Sequence, residues 1–153
     1  MSRKRIALLD VNLLVALFDP DHIHHELAHD WFSDHRAGGW ATCPITENGL
    51  IRVLANPRYG SPVSTVPAVV DRLKKFRASG HHHFWPDEVS LADGALFKSA
   101  SARGHRQLTD VYLLGMAQHR GGRLATLDHS IPLAAVAGAT RETLVVIAPA
   151  DDD

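Results

Sequence analysis

The chain has 153 residues, 45% of them hydrophobic and 22% charged, with 16 Lys and Arg against 17 Asp and Glu and 11 His outside a formal net charge of -1. At about 150 residues per domain this length points to one domain over residues 1–150, followed by an acidic tail at Asp151–Asp153, and to a core that buries about 70% of the unfolded surface. The apolar fraction excludes a disordered chain, and no run approaches the roughly 18 apolar residues of a membrane-crossing helix.

Cys43 is the single cysteine, so an intramolecular disulfide and a thiolate-rich metal site are both excluded. The basic start, Met1 to Arg5, is followed by only four apolar residues before Asp10. A secretory signal does not have that shape, and the cytoplasm is the expected compartment. The charge is unevenly spread: residues 1–50 hold four Lys and Arg against seven acids, residues 51–150 hold twelve against seven, and the tail adds three acids. Twelve of the basic residues are Arg, whose planar fork suits phosphate. A nucleic-acid partner is therefore allowed but not shown, since solvated helix faces are the more ordinary account of surface arginine.

In chain order, Ile6 to Leu9 is a short apolar run, as in a strand buried on both faces of a parallel sheet. Val11 to Phe18 reads as a helix broken at Asp19-Pro20-Asp21, and His22 to His35 as an amphipathic helix with Ile23, Leu27 and Trp31 on one stripe, stopped by Gly38-Gly39. Trp40 to Cys43 is a second strand. Pro44 opens a helix that runs to Asn56-Pro57, and Arg58 to Val63 is a loop. Ser64 or Thr65 caps a helix with Val66, Val69, Val70, Leu73 and Phe76 on its apolar face, closed at Ser79-Gly80. His82 to Trp85 is a third strand and Leu91 to Ala102 a helix. Thr109 is the expected cap of a helix over Asp110 to His119, ended by Gly121-Gly122. Arg123 to Leu127 and Leu144 to Ala148 are further strands, with a short helical piece at Leu133 to Ala137. Short apolar strands alternating with helices predict an α/β sandwich with a mainly parallel sheet.

In such a sheet, ligands sit at the carboxyl ends of the strands. The first strand ends at Asp10 and the fourth at Asp128, while Glu47 lies one turn into the helix after the second strand and Asp110 opens the helix before the fourth. Taken singly, Asp110 reads as a first-turn acid and Asp128 as a turn residue. Glu47, in a largely apolar stretch, and Asp10, at the end of a buried strand, are harder to explain that way. Four carboxylates brought together repel one another unless a hard cation joins them, and Mg²⁺ or Mn²⁺ with oxygen ligands suits phosphoryl chemistry.

The segments Leu9 to Leu17, Ile45 to Leu54, Leu108 to Leu114 and Ala125 to Asp128 resemble the four acidic motifs of PIN-domain ribonucleases, and most closely those of the VapC toxins of toxin-antitoxin pairs. That resemblance implies a five-stranded sheet in order 3-2-1-4-5 between helices and Mg²⁺- or Mn²⁺-dependent endonucleolytic cleavage of RNA. It also implies a cognate VapB-like antitoxin and a homodimer. It assigns Asp10 and Asp110 as principal metal ligands, with Glu47 and Asp128 completing the cluster. Asn12 and Thr126 fall where such proteins carry polar residues that orient the acids.

Arg52, Arg58, Tyr59, Arg103 and Arg106 are candidates for contacts with RNA phosphates and bases. The pair His25 and His29 has the spacing of a Zn²⁺ site on a helix, but no further ligand pattern completes one, and these histidines are read as satisfied within the fold. The triplet His81-His82-His83 is read as part of a strand. Two other readings remain: a non-catalytic cation-binding regulator of PIN or receiver-like fold, and a DNA-directed nuclease of the same chemistry. A phosphate receiver wants a late lysine, yet the last Lys is Lys98, and no Gly-rich phosphate loop is present.

Overall fold

A computed structural model describes residues 5–60, 65–102 and 104–149. The acidic tail, Arg103, Ser64 and most of the expected 58–63 loop beyond Gly60 lie outside the described residues. Five strands, β1 (Ala7–Leu9), β2 (Trp40–Thr42), β3 (His82–Phe84), β4 (Arg123–Thr126) and β5 (Leu144–Val146), form one sheet in order β3-β2-β1-β4-β5. All four pairings are parallel.

Both faces of the sheet are covered at its central strands. Alternation sends Ala7, Leu9, Trp40 and Ala125 into one core with helices α1 (Val11–Phe18), α2 (His25–His35), α3 (Pro44–Leu54) and α4 (Val66–Arg77). Leu8, Ala41, Cys43 and Leu124 face the opposite core, built on helix α5 (Leu108–His119). The central strands are thus buried throughout, which is why they read as apolar runs without polar interruption. Gly49 permits the close approach of α3 to α1, since a Cβ there would come within 2.6 Å of Val11 Cγ2.

Three expected elements differ. Helix α2 begins at His25 rather than His22, because Asp19 Oδ1 accepts from Asp21 N and His22 Nδ1 from His24 N, and these local turns compete with a helical start. Ile23 is consequently 89% exposed and belongs to no stripe, while Ala28 and Phe32 are buried. Residues 91–102 are not a helix. Ser90 Oγ and Asp93 Oδ1 accept from Ala92 N and Ala95 N, Phe97 bridges to Val136, and the Phe97 ring packs directly on Gly115 of α5. Thr109 does not cap α5: a 3-10 turn at His105–Gln107 runs into a helix that starts at Leu108. Thr65 does cap α4, accepting from Ala68 N.

The histidine pair on α2 has a structural task. The last turn of α1 carries no basic residue of its own. Its open carbonyls are met instead by His25 Nδ1–H on Ala16 O at 2.7 Å, His29 Nε2–H on Leu17 O at 3.0 Å and Arg72 on Phe18 O at 2.8 Å. A carbonyl only accepts, so each of those ring nitrogens carries its proton and neither is free to bind Zn²⁺. A cavity of about 360 Å³ at this end of α1 is lined by Phe18, Arg72, Lys75 and Phe76 among others, and none of Asp10, Glu47, Asp110 and Asp128 lines it.

Candidate active site

Parallel pairing places the ends of β1 and β4 side by side, and Asp10 N bonds to Ala125 O at 2.9 Å. Asp10 is only 3% exposed and caps α1, accepting from Val11 N at 2.7 Å. Its other oxygen accepts from Thr126 Oγ1 at 2.8 Å. The same hydroxyl accepts from Asn12 Nδ2 and from Asp128 N, and Asn12 Oδ1 accepts from Leu127 N. Asn12 and Thr126 thus knit the turn that bears Asp10 to the turn that bears Asp128.

Asp110, in the first turn of α5, lies within hydrogen-bonding reach of Asp10 and Asp128. Burial and the neighbouring Asp10 and Asp128 charges push it up to about 7. Burial also raises Asp10, against the lowering effect of its Thr126 and Val11 bonds. Asp128 goes the other way, held below the usual carboxylate range by the Ser130 hydroxyl and amide on Oδ1, at 2.7 and 2.8 Å. Ser130 is itself held by Gln107 Nε2, at 2.9 Å from its carbonyl.

Glu47 stands apart from this trio. Its Oε2 accepts from Thr42 Oγ1 at 2.6 Å, and its Oε1 lies 3.4 Å from Arg77 of α4. His82 Nε2–H donates to the same Thr42 oxygen at 2.8 Å, and burial together with Arg77 and His83 lowers this ring to about 4, leaving it neutral. Thr42, Arg77, His82 and Ser130 were not among the expected site residues. Only the spacing of Thr42 from Glu47 was visible locally, whereas Arg77 and His82 arrive from elements thirty or more residues downstream.

The arginines divide. Arg106 is exposed in the turn leading into α5, at the end that carries Asp110, and Arg52 is exposed about a turn beyond Glu47 on α3. Arg58, expected to flank the pocket, is at the wrong end of the molecule. The neighbouring Tyr59 hydroxyl donates to Asp19 Oδ2 at 2.7 Å, and Asp19 ends α1, about 12 Å along the helix from Asp10.

Against this geometry stand the similarities to known proteins. A PIN domain profile matches residues 7–138. The chain belongs to the PIN-domain family. Within it, this PIN domain is 43% identical over 141 residues to Ribonuclease VapC44 of Mycobacterium tuberculosis, covering 92% of this chain and 99% of that protein. It is also 43% identical over 133 residues to Ribonuclease VapC39 of the same organism, covering 86% and 95%. The PIN fold superposes on the crystal structure of Mycobacterium tuberculosis VapC20, described as a Sarcin-Ricin loop cleaving toxin, with a TM-score of 0.59 at 15% identity, covering 82% of this chain and 92% of that one.

Among the described residues no three His, Cys, Asp or Glu side chains are already arranged as a metal site. The donor set nevertheless suits a hard divalent cation. Asp10, Asp110 and Asp128 offer only oxygen, and burial with the crowding of these carboxylates is what raises Asp110. No helix among the described residues is long and apolar enough to cross a membrane.

Proposed function

We propose that this protein is an Mg²⁺- or Mn²⁺-dependent endoribonuclease, the toxin of a type II toxin-antitoxin pair. The observation that carries the reading is the convergence of Asp10, Asp110 and Asp128 at the carboxyl edge of a PIN sheet, in a chain 43% identical to two proteins named ribonuclease. Asp10 and Asp110 are the principal metal-holding groups in this proposal, with Asp128 and Glu47 completing the set. The cation, when bound, activates a water and stabilises the leaving oxygen of a phosphodiester. Thr126 fixes the direction of the Asp10 carboxylate, and Asn12 fixes Thr126. Asp110 and Asp128, the latter turned by Ser130, would offer their carboxylate oxygens to the cation. The products expected are a 5′-phosphate and a 3′-hydroxyl.

Support for the partners is of the same kind. The VapC relatives favour a VapB-like antitoxin, an RNA substrate and a second copy of this chain as partners, acting in the cytoplasm. The deciding experiment is cleavage of total RNA by the purified protein with Mg²⁺ or Mn²⁺, beside Asp10→Asn and Asp110→Asn, and beside single-stranded DNA. Metal-dependent cutting of RNA that both substitutions abolish is expected. Cutting of DNA alone moves the assignment to a deoxyribonuclease, and metal binding without any cutting moves it to a regulator.

A further inference from the structure

We propose that Phe84, with Arg77, forms a subsite on which one unpaired base of the RNA stacks beside the acidic trio; this rests on the ribonuclease reading. Phe84 is the last residue of the edge strand β3 and pairs in register with Thr42, the residue that binds Glu47. With strands about 4.8 Å apart, its backbone lies about 10 Å across the same carboxyl edge from β1, whose next residue is Asp10. Phe84 is 44% exposed, whereas Trp40, Phe18 and Phe32 on this side of the sheet are buried and Trp31 and Phe76 are half-buried against the same core.

What singles out this exposed ring is its company. The Arg77 guanidinium lies over the Phe84 ring at 5.1 Å and also reaches Glu47 at 3.4 Å. One face of an exposed ring is thus covered by a cation, and that cation touches one of the proposed metal-holding acids. The combination matches a nucleotide: the base takes the ring face opposite Arg77 and the phosphate takes the guanidinium. Duplex bases are already stacked on each other, so the occupant is a single-stranded segment. Stacking tolerates every base, so the subsite sets affinity and register along the strand rather than sequence. Tyr59, the other exposed aromatic with a free-looking ring, is tied to Asp19 at the far end of α1 and is in no position to serve.

The probe is a fluorescein-labelled single-stranded RNA octamer of mixed sequence, titrated in EDTA so that it stays intact, with fluorescence anisotropy as the readout. Base–aromatic stacking contributes about 1–3 kcal/mol per base, so Phe84→Ala is expected to weaken binding about fivefold or more. Phe84→Leu keeps the apolar bulk and is expected to fail similarly, whereas Phe84→Tyr restores binding. Melting curves unchanged across the series show that folding is not the cause. The proposal is overturned if Phe84→Ala or Phe84→Leu binds the octamer like the wild type, or if the wild type does not bind it. Octamer binding that depends on Phe84, in a protein that never cuts RNA with Mn²⁺, sinks the ribonuclease reading and leaves the subsite. Normal cutting by Phe84→Ala at unchanged affinity sinks the subsite alone.

Discussion

The Thr126 hydroxyl donates to Asp10 Oδ2 at 2.8 Å across 116 residues of sequence, and it is the one group that touches both the Asp10 carboxylate and the Asp128 backbone. It is wholly buried, and its hydrogen-bonding capacity is spent on Asp10, Asn12 and Asp128. Thr126→Val keeps the shape and removes the hydroxyl, leaving three polar partners unmet. A loss of about 1–3 kcal/mol in urea unfolding is expected, with a fall in RNA cleavage, and Thr126→Ser is expected to restore most of both. A valine variant as stable and active as the parent would remove Thr126 from the site.

Asp110 dictates a pH dependence. Its folded value of about 7 stands above its ordinary 3.8, so the fold favours the protonated form. The stability this group contributes is complete below about pH 4 and is lost as pH rises through about 7. Without metal, the melting temperature of the wild type measured against Asp110→Asn is expected to fall across that window. Millimolar Mg²⁺ is expected to reverse the fall at neutral pH, because a cation that binds only the folded state stabilises it by mass action. A difference curve flat from pH 4 to 7 contradicts the crowding of the three acids.

Glu47 is held by Thr42 and Arg77 rather than by the trio, which separates its contribution from that of Asp10. The rise in melting temperature on adding Mn²⁺ is expected to vanish in Asp10→Asn and to persist, reduced, in Glu47→Gln. Equal loss in both variants means that Glu47 joins the other acids on equal terms once metal binds.

The histidines of α2 act on α1 through its last carbonyls. His25→Ala and His29→Ala are each expected to cost about 1 kcal/mol, the usual net worth of such a bond, with the Mn²⁺ response intact. A matching change in metal affinity with no change in stability would reopen a metal role for this pair.

The legible part of the fold has a physical reason. β1, β2 and β4 are buried on both sides, so they appear as short apolar runs; Asp10 and Cys43 follow β1 and β2 directly as helix caps, and Asp128 lies two residues past β4, which marks the carboxyl edge. The acids at that edge were visible for the same reason. What stayed hidden depends on contacts between distant segments. Residues 91–102 have helical composition, but Phe97 is drawn onto Gly115 and Val136. Glu47 is steered by Arg77, thirty positions away, and Arg58 is carried off by a helix whose length moves it to the opposite edge.

Helix α1 has eight residues, too few to persist alone in water, and its far end is closed by side chains from α2 and α4. Its near end is fastened to a hydroxyl at position 126. On a ribosome, the chain has therefore emitted more than a hundred residues past Asp10 before that carboxylate acquires its final orientation. A nascent or truncated chain that ends before residue 126 carries Asp10, Glu47 and Asp110 without their final arrangement, which arrives only with the last strands of the sheet.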